Sequence, residues 1–228
     1  MTMPSRLRPT ASFATDAILV GDPGRALLLA QELLEQPKMS NHARGLWGYT
    51  GVTPAGDELT LQSTGIGGPS AALVLADLAE LGVRRVVRVG SCLATGAAGG
   101  VGDLLLVEEA IAAGGSSSAF GVAVGDSVAP DPGLTERLRA ALGEEARPAT
   151  VASFDADPAA CAPFAAGVGA ADMQTAAVLA RSAALGVAAA VVLLAVSSIE
   201  GPPLAEEPRE GSEKRAGQVA SAVLSASS

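Results

Sequence analysis

The chain has 228 residues, of which 49% are hydrophobic and only 3% aromatic, and its formal net charge is -9. This length fits one large domain packed mainly by small aliphatic side chains, and the negative charge argues against nucleic-acid and anionic-membrane partners. Two cysteines and one histidine exclude a disulfide scaffold and a His/Cys metal cluster. The longest uncharged apolar run, residues 183–196, is too short to span a bilayer, and no signal peptide is evident. We therefore expect a single cytoplasmic domain over residues 1–228, with no metal site and no membrane contact.

The first predicted strand leads into a turn that is suited to anions. Residues 17–20 predict a strand, the segment 21–25 reads Gly-Asp-Pro-Gly-Arg, and residues 27–34 have helical spacing with Asp22 as N-cap. Free N–H groups point outward at such a helix start. Arg25 opposes the helix dipole there unless an anion compensates, although an ordinary turn with a solvated arginine is the alternative.

A hairpin and a second glycine-rich turn follow. Residues 46–52 and 58–63 predict two antiparallel strands joined by a short turn, which makes the sheet mixed. The segment 64–70, Thr-Gly-Ile-Gly-Gly-Pro-Ser, predicts a turn that opens a helix over residues 71–81. Its glycines allow the backbone to approach a ligand closely, and a tight packing turn is the alternative. The spacing fits neither the dinucleotide fingerprint nor a P-loop.

An arginine lies inside the most apolar strand of the first half. Val86, Val87 and Val89 predict a strand buried on both faces, and Arg88 interrupts them two residues before Gly90. Burying a guanidinium without a partner costs several kcal/mol. We expect an anionic ligand at the carboxyl end of this strand, where open α/β sheets bind ligands, or a structural ion pair with a core carboxylate. This segment alone does not separate the two.

The second half continues the alternation of strands and helices and completes the prediction of an α/β fold. Its predicted elements are strands at 103–107, 149–153 and 187–196 and helices at 130–142, 172–185 and 208–224. The glycine and serine residues at 114–118 predict a flexible loop, and the stretch from the end of the 149–153 strand to residue 169 is predicted to be irregular. Three strand ends of the first half therefore carry candidate anion contacts, and their convergence in one cleft is the functional interpretation.

Four ordered motifs resemble those of the nucleoside phosphorylase-I family, which contains the purine nucleoside and uridine phosphorylases. They are the Gly-Asp-Pro-Gly-Arg turn at 21–25, the hairpin segment at 41–51, Ser-Thr-Gly-Ile-Gly-Gly-Pro-Ser at 63–70 and Arg-Val-Gly-Ser-Cys at 88–92. The resemblance implies a three-layer α/β/α fold with a central mixed β-sheet, and phosphate-dependent cleavage of the N-glycosidic bond of a nucleoside. It implies no cofactor other than inorganic phosphate as co-substrate.

The resemblance also implies how phosphate is bound. Gly21, Arg25, Arg88 and Ser91 would bind it, and Arg44 would be donated by a neighbouring subunit. A homo-oligomer is therefore expected, either a dimer or a hexamer built from three dimers. Arg88 is also the candidate catalytic residue, because the anion it holds would stabilise an oxocarbenium-like transition state.

The nucleoside side departs from the family pattern. The family's Glu-Met-Glu is Asp172-Met173-Gln174 here, and Gln174 lacks the charge of the glutamate that accepts hydrogen bonds from the ribose hydroxyls. We expect it to hold a diol more weakly or to select a different sugar. Arg6 replaces the histidine that would reach a neighbour's 5′-hydroxyl, which favours an anionic or modified 5′ position.

The sequence gives fewer candidates for residues that contact the base. Ser198 stands at the position of the purine branch's acid and is the second candidate catalytic residue, but a serine hydroxyl is a weak acid. Cys92 is a further candidate nucleoside contact. Phe154 is a candidate aromatic near the base or else a core residue. The alternatives to a phosphorylase are a nucleosidase or other specialised enzyme on the same scaffold, and a non-catalytic protein that keeps the anion cleft.

Overall fold

A ten-stranded mixed β-sheet forms the centre of the structure, a computed structural model that describes residues 6–161 and 167–225. The strands are β1 (Asp16–Val20), β2 (Glu35–Asn41), β3 (Gly48–Val52), β4 (Glu58–Ser63), β5 (Arg85–Ala94), β6 (Leu104–Ala112), β7 (Ser127–Val128), β8 (Ala146–Ser153), β9 (Ala170–Asp172) and β10 (Ala188–Ser198). The helices are α1 (Pro23–Leu33), α2 (Gly68–Glu80), α3 (Pro132–Leu142), α4 (Pro158–Cys161), α5 (Thr175–Leu185) and α6 (Glu206–Ser225). Short 3₁₀ turns lie at Ala43–Gly45, Gly115–Phe120 and Gly143–Glu145.

The strand order is β10-β6-β8-β9-β5-β1-β4-β3-β2, and β5 also pairs with β10. This extra pairing closes five of the strands into a ring. Strands β4, β1, β5 and β10 run parallel to one another, so their carboxyl ends meet at one edge. The predicted anion contacts after β1, β4 and β5 therefore share that edge.

Strand β5 has a gap in its pairing where the ligand motifs lie. On one side it pairs with β1 only as far as Arg88, and with β9 only from Leu93. Residues 89–92 have a ladder partner only on the β10 side. The sheet therefore splits beside Gly90 and Ser91.

Two hydrophobic clusters cover the two faces of the sheet and confirm the predicted layers. One contains side chains of α2 and α5, and the other contains side chains of α1, α3 and α6. Within β5, Val86 belongs to the first cluster and Val87 and Val89 to the second. The strand is thus buried on both faces, as its unbroken apolar sequence predicts.

Several predicted elements need correction. Residue Asp172 ends strand β9 and does not lie in the following helix, which begins at Thr175. Strand β2 was not predicted, because proline and charged residues fill an edge strand that is mostly exposed. The predicted loop at 114–118 contains part of a 3₁₀ turn. The interval that was expected to be irregular includes α4, while 162–166 lie outside the described residues.

No helix within 6–161 or 167–225 is long and apolar enough to cross a membrane.

Candidate active site

A cavity of about 460 Å³ opens at the carboxyl edge of the parallel strands. Its walls come from the turns after β1 and β4, the end of β5, the β9–α5 junction, the end of β10 and helices α4 and α6. The residues that line it include Gly21, Asp22, Arg25, Gly65, Gly67, Arg88, Ser91, Cys92, Leu93, Asp172, Met173, Gln174, Ser197 and Arg209. The expected convergence of the three strand ends is therefore present.

Arg25 enters the cavity wall from the first turn of α1. The Asp22 carboxylate caps this helix by accepting a hydrogen bond from the Arg25 backbone N–H at 3.0 Å, which fixes the start of the turn. The guanidinium is buried and forms an ion pair with Glu213 of α6, with 2.6 Å between Arg25 Nη2 and Glu213 Oε1. Burial lowers the pKa of Arg25, and the carboxylate of Glu213 opposes that shift. The Nε–H of Arg25 has no partner among the described residues.

Arg88 is fixed by two side chains from the β9–α5 junction. Its Nη2 lies 3.0 Å from Asp172 Oδ2 and its Nη1 donates to Gln174 Oε1 at 2.8 Å. The Nε of Arg88 is buried and has no partner in the described part of the chain. A side chain at Gly90 is excluded, because a Cβ there would lie 2.7 Å from the Arg88 guanidinium. Arg88 therefore has the core carboxylate partner given as one alternative, and it also lines the cavity, while the anionic ligand expected there stays a prediction.

The Asp172 carboxylate accepts several more hydrogen bonds. Ser153 Oγ donates to Oδ1 at 2.6 Å, and Thr175 Oγ1 donates to Oδ2 at 2.7 Å. The backbone N–H of Thr175 also donates to the carboxylate, so Asp172 caps the first turn of α5. These bonds hold the acid in place while it orients Arg88.

Comparison with known proteins assigns the fold to a family. A family model described as the phosphorylase superfamily matches residues 15–227. The chain belongs to the phosphorylase superfamily. The family resemblance drawn from the four motifs is thereby confirmed.

Curated relatives match only part of the chain. A DeoD-type purine nucleoside phosphorylase of Oceanobacillus iheyensis is 39% identical over 98 residues, which is 42% of this chain and 41% of that protein. One from Limosilactobacillus reuteri is 36% identical over 113 residues, which is 49% of this chain and 45% of that protein. The chain thus matches less than half the length of these relatives.

Solved structures extend the likeness over the whole fold. A uridine phosphorylase from Vibrio fischeri ES114 superposes with a TM-score of 0.82 at 23% identity, covering 94% of this chain and 93% of that chain. The mixed α/β architecture of this phosphorylase superfamily member is therefore confirmed, and at this identity the likeness concerns the fold alone.

Within this superfamily member, the predicted phosphate residues divide into two groups. Gly21, Arg25, Arg88 and Ser91 all line the cavity. Arg44 does not: it is exposed at the tip of a 3₁₀ turn, where its φ of 60° is in the left-handed region. Its expected role in a neighbouring subunit's site stays a prediction.

The predicted nucleoside residues divide in the same way. Cys92, Asp172, Met173 and Gln174 line the cavity. Burial raises the pKa of the Cys92 thiol, so it is neutral at pH 7 and adds no negative charge beside the arginines. Arg6 pairs with Asp77 of α2 at 3.2 Å and is not part of its own subunit's cavity wall.

Two base-side candidates lie elsewhere. Phe154 packs in a small core cluster with Leu93 and Val168, which favours the core interpretation given as its alternative. Ser198 is not part of the cavity wall, and its hydroxyl donates to the backbone carbonyl of Glu200. Its neighbour Ser197 lines the cavity instead, and the catalytic role expected of Ser198 stays a prediction that this geometry does not support.

Sequence reasoning missed the contribution of α6. Arg209 lines the cavity, and its Nε lies 2.9 Å from the same Glu213 oxygen that pairs with Arg25. Glu213 is buried although it lies in a helix rich in charged residues. The spacing of four between Arg209 and Glu213 is a signal for a helical ion pair, but it does not reveal that the pair docks on Arg25.

Proposed function

We propose that this chain is a nucleoside phosphorylase that uses inorganic phosphate to cleave an N-glycosidic bond. The observation that supports this most strongly is the meeting of Arg25 and Arg88, distant in sequence, in the wall of one cavity. Ser91 and the Gly21 turn complete a set of cationic and neutral donors suited to a phosphate dianion.

Arg25 and Arg88 are each paired with a carboxylate, but each guanidinium keeps donors with which it can bind an anion. Each guanidinium has five N–H donors, and each has one acidic partner, Glu213 for Arg25 and Asp172 for Arg88. Glu213 and Asp172 thus keep the guanidinium groups compensated before phosphate arrives. Among the described residues the buried Nε atoms of both arginines have no partner, so part of the donor capacity of each is unused.

The reaction follows from a phosphate held beneath the sugar. A phosphate oxygen forms a bond to the anomeric carbon while the carbon–nitrogen bond breaks, and the base leaves with that electron pair. The products are the free base and a sugar 1-phosphate. Positive charge develops on the sugar ring in the transition state, and the nearby dianion stabilises it. Inorganic phosphate is the co-substrate, and no other cofactor is required.

The assembly that this mechanism needs is a homo-oligomer, either a dimer or a trimer of dimers. Arg44 is exposed on its own subunit and would add a third guanidinium to a neighbour's cavity. We place this activity in the cytoplasm. The base is left open between purine and pyrimidine, because the relatives' names indicate purines and the structural likeness is to a uridine phosphorylase.

The test is phosphate-dependent release of base from a panel of purine and pyrimidine nucleosides. We expect free base and sugar 1-phosphate in equal amounts, and none of either from the Arg88→Ala variant. Release of base at the same rate without phosphate would instead establish a nucleosidase.

A second candidate function is a binding protein without turnover. It is favoured by one observation, the position of Ser198 outside the cavity wall, which leaves the base without the acid found in the purine branch. Calorimetric binding of phosphate or nucleoside with no product from any nucleoside would establish this alternative.

A further inference from the structure

We infer that Gln174 is a positioning residue of the phosphate site and not a ligand of the sugar. Gln174 therefore does not distinguish a sugar with a 2′-hydroxyl from one without it. This inference rests on the proposed phosphorolysis. It replaces the expectation that Gln174 holds the sugar diol more weakly than a glutamate would.

The amide of Gln174 has no hydrogen-bonding capacity left for a sugar. Its Oε1 accepts from Arg88 Nη1 at 2.8 Å and from Thr64 Oγ1 at 3.2 Å. Its Nε2 donates to the carbonyl oxygens of Gly65 at 2.6 Å and Gly67 at 3.3 Å. A carboxamide offers two acceptor positions and two donors, and all four are used.

These bonds connect the two sides of the anion cavity. Thr64, Gly65 and Gly67 form the glycine-rich turn after β4, while Arg88 belongs to β5. Gln174 is buried and therefore ties the turn to the arginine in one fixed geometry. Breaking these bonds to reach a sugar would leave buried polar groups without hydrogen-bond partners, which is unfavourable.

The neighbouring acid is equally occupied. Asp172 accepts from Arg88, from Ser153 and from the side chain and backbone of Thr175. It is almost fully buried, with a relative exposure of 2%. Neither polar side chain of the Asp172-Met173-Gln174 segment is thus available to a sugar hydroxyl.

Replacing a carboxylate by an amide at this position also changes the charge that phosphate meets. Arg88 has one carboxylate partner, Asp172, and one neutral partner, Gln174. A glutamate at 174 would add a second negative charge beside Arg88 and would turn its oxygens toward the carbonyls of Gly65 and Gly67.

The experiment measures phosphate and sugar recognition separately. The variants are Gln174→Met, which keeps the side-chain length but removes the hydrogen bonds, and Gln174→Glu, which adds the charge. The control is Asp16→Asn. Asp16 is the buried partner of Arg85, which begins strand β5, whereas Arg88 lies further along that strand, in the cavity wall. Calorimetry gives the phosphate dissociation constant, and thermal unfolding confirms that each variant is folded.

We expect phosphate to bind roughly tenfold more weakly to both Gln174 variants, the effect of losing about 1.4 kcal/mol of positioning, and with unchanged affinity to Asp16→Asn. The second readout is the ratio of kcat/KM for adenosine over 2′-deoxyadenosine, and for uridine over 2′-deoxyuridine. This ratio should stay within about threefold of the parent value in Gln174→Met.

The outcomes separate the two proposals. Unchanged phosphate binding by Gln174→Met, with a ratio of ribonucleoside to 2′-deoxyribonucleoside that falls tenfold or more, would show that Gln174 binds the sugar and would overturn the inference. Absence of phosphate binding by the parent protein would overturn the proposed function itself, and with it the role of Gln174.

Discussion

Replacing Glu213 by alanine tests whether Glu213 and a bound anion compete for the guanidinium of Arg25. The change removes the buried carboxylate 2.6 Å from Arg25 and leaves that guanidinium without its acidic partner. Breaking a buried ion pair from one side costs about 3–5 kcal/mol. For a domain of this size, each kcal/mol lowers the melting temperature by roughly 2–4 °C, so we expect a fall of about 6–20 °C without phosphate.

Phosphate should reverse part of that loss. In the parent protein the ligand has to share Arg25 with Glu213, whereas in Glu213→Ala it supplies the missing negative charge. We therefore expect about tenfold tighter phosphate binding and a larger rise in melting temperature at saturating phosphate than in the parent. The assay is differential scanning calorimetry across a phosphate titration, with sulfate and chloride at equal ionic strength as comparisons.

Two variants serve as controls for this experiment. Glu213→Gln keeps a neutral acceptor for Arg25 and should give an intermediate loss of stability. Glu145→Gln removes the exposed partner of Arg215, which lies on the same helix as Glu213. This variant should change the melting temperature little. An equal phosphate-induced shift in the parent and in Glu213→Ala would refute the idea that the carboxylate and the anion compete for Arg25.

The remaining predictions concern the other site residues. Arg88→Ala should weaken phosphate binding at least 100-fold, measured by calorimetry, while circular dichroism shows a retained fold. Arg44→Ala should lose most turnover by itself, and mixed oligomers of Arg44→Ala and Arg88→Ala subunits should regain part of it if Arg44 acts across a subunit interface; no recovery would argue against a shared site. Ser198→Ala should keep kcat within about twofold, since its hydroxyl lies outside the cavity wall, and a large loss would restore it as a catalytic group. Mass spectrometry after brief alkylation at pH 7 should find Cys161 modified before Cys92, because burial raises the pKa of the Cys92 thiol and keeps it protonated.

The gathering of the candidate phosphate residues in one cavity was predictable because the signals for it are local. The Gly21–Arg25 turn and the Arg88–Ser91 strand end each combine a strand, a glycine and an arginine within a few residues. Parallel pairing then brings their ends together, as the structure shows. The alternation of strands and helices predicted the fold class for the same reason.

The sugar side was predictable only in part, because its geometry depends on tertiary contacts. The sequence gives no sign that Asp172 ends a short strand, which forms only because β9 pairs with β5 and β8. Likewise, Glu213 reaches Arg25 because α6 packs on α1. The hydrogen bonds of Gln174 to the turn after β4 join segments more than 100 residues apart, since Gln174 and Gly65 are separated by 109 positions.

The missing ladder partner along residues 89–92 has a consequence for any ligand that enters there. Val89 already directs its carbonyl oxygen toward Arg25 Nη1, at 3.5 Å, in place of a neighbouring strand. An anion in this gap would meet backbone N–H groups that have no ladder partner on this side among the described residues, and no side-chain replacement removes them. Single variants in the site should therefore keep some residual affinity, and the amide hydrogens of this stretch should exchange more slowly once the gap is filled.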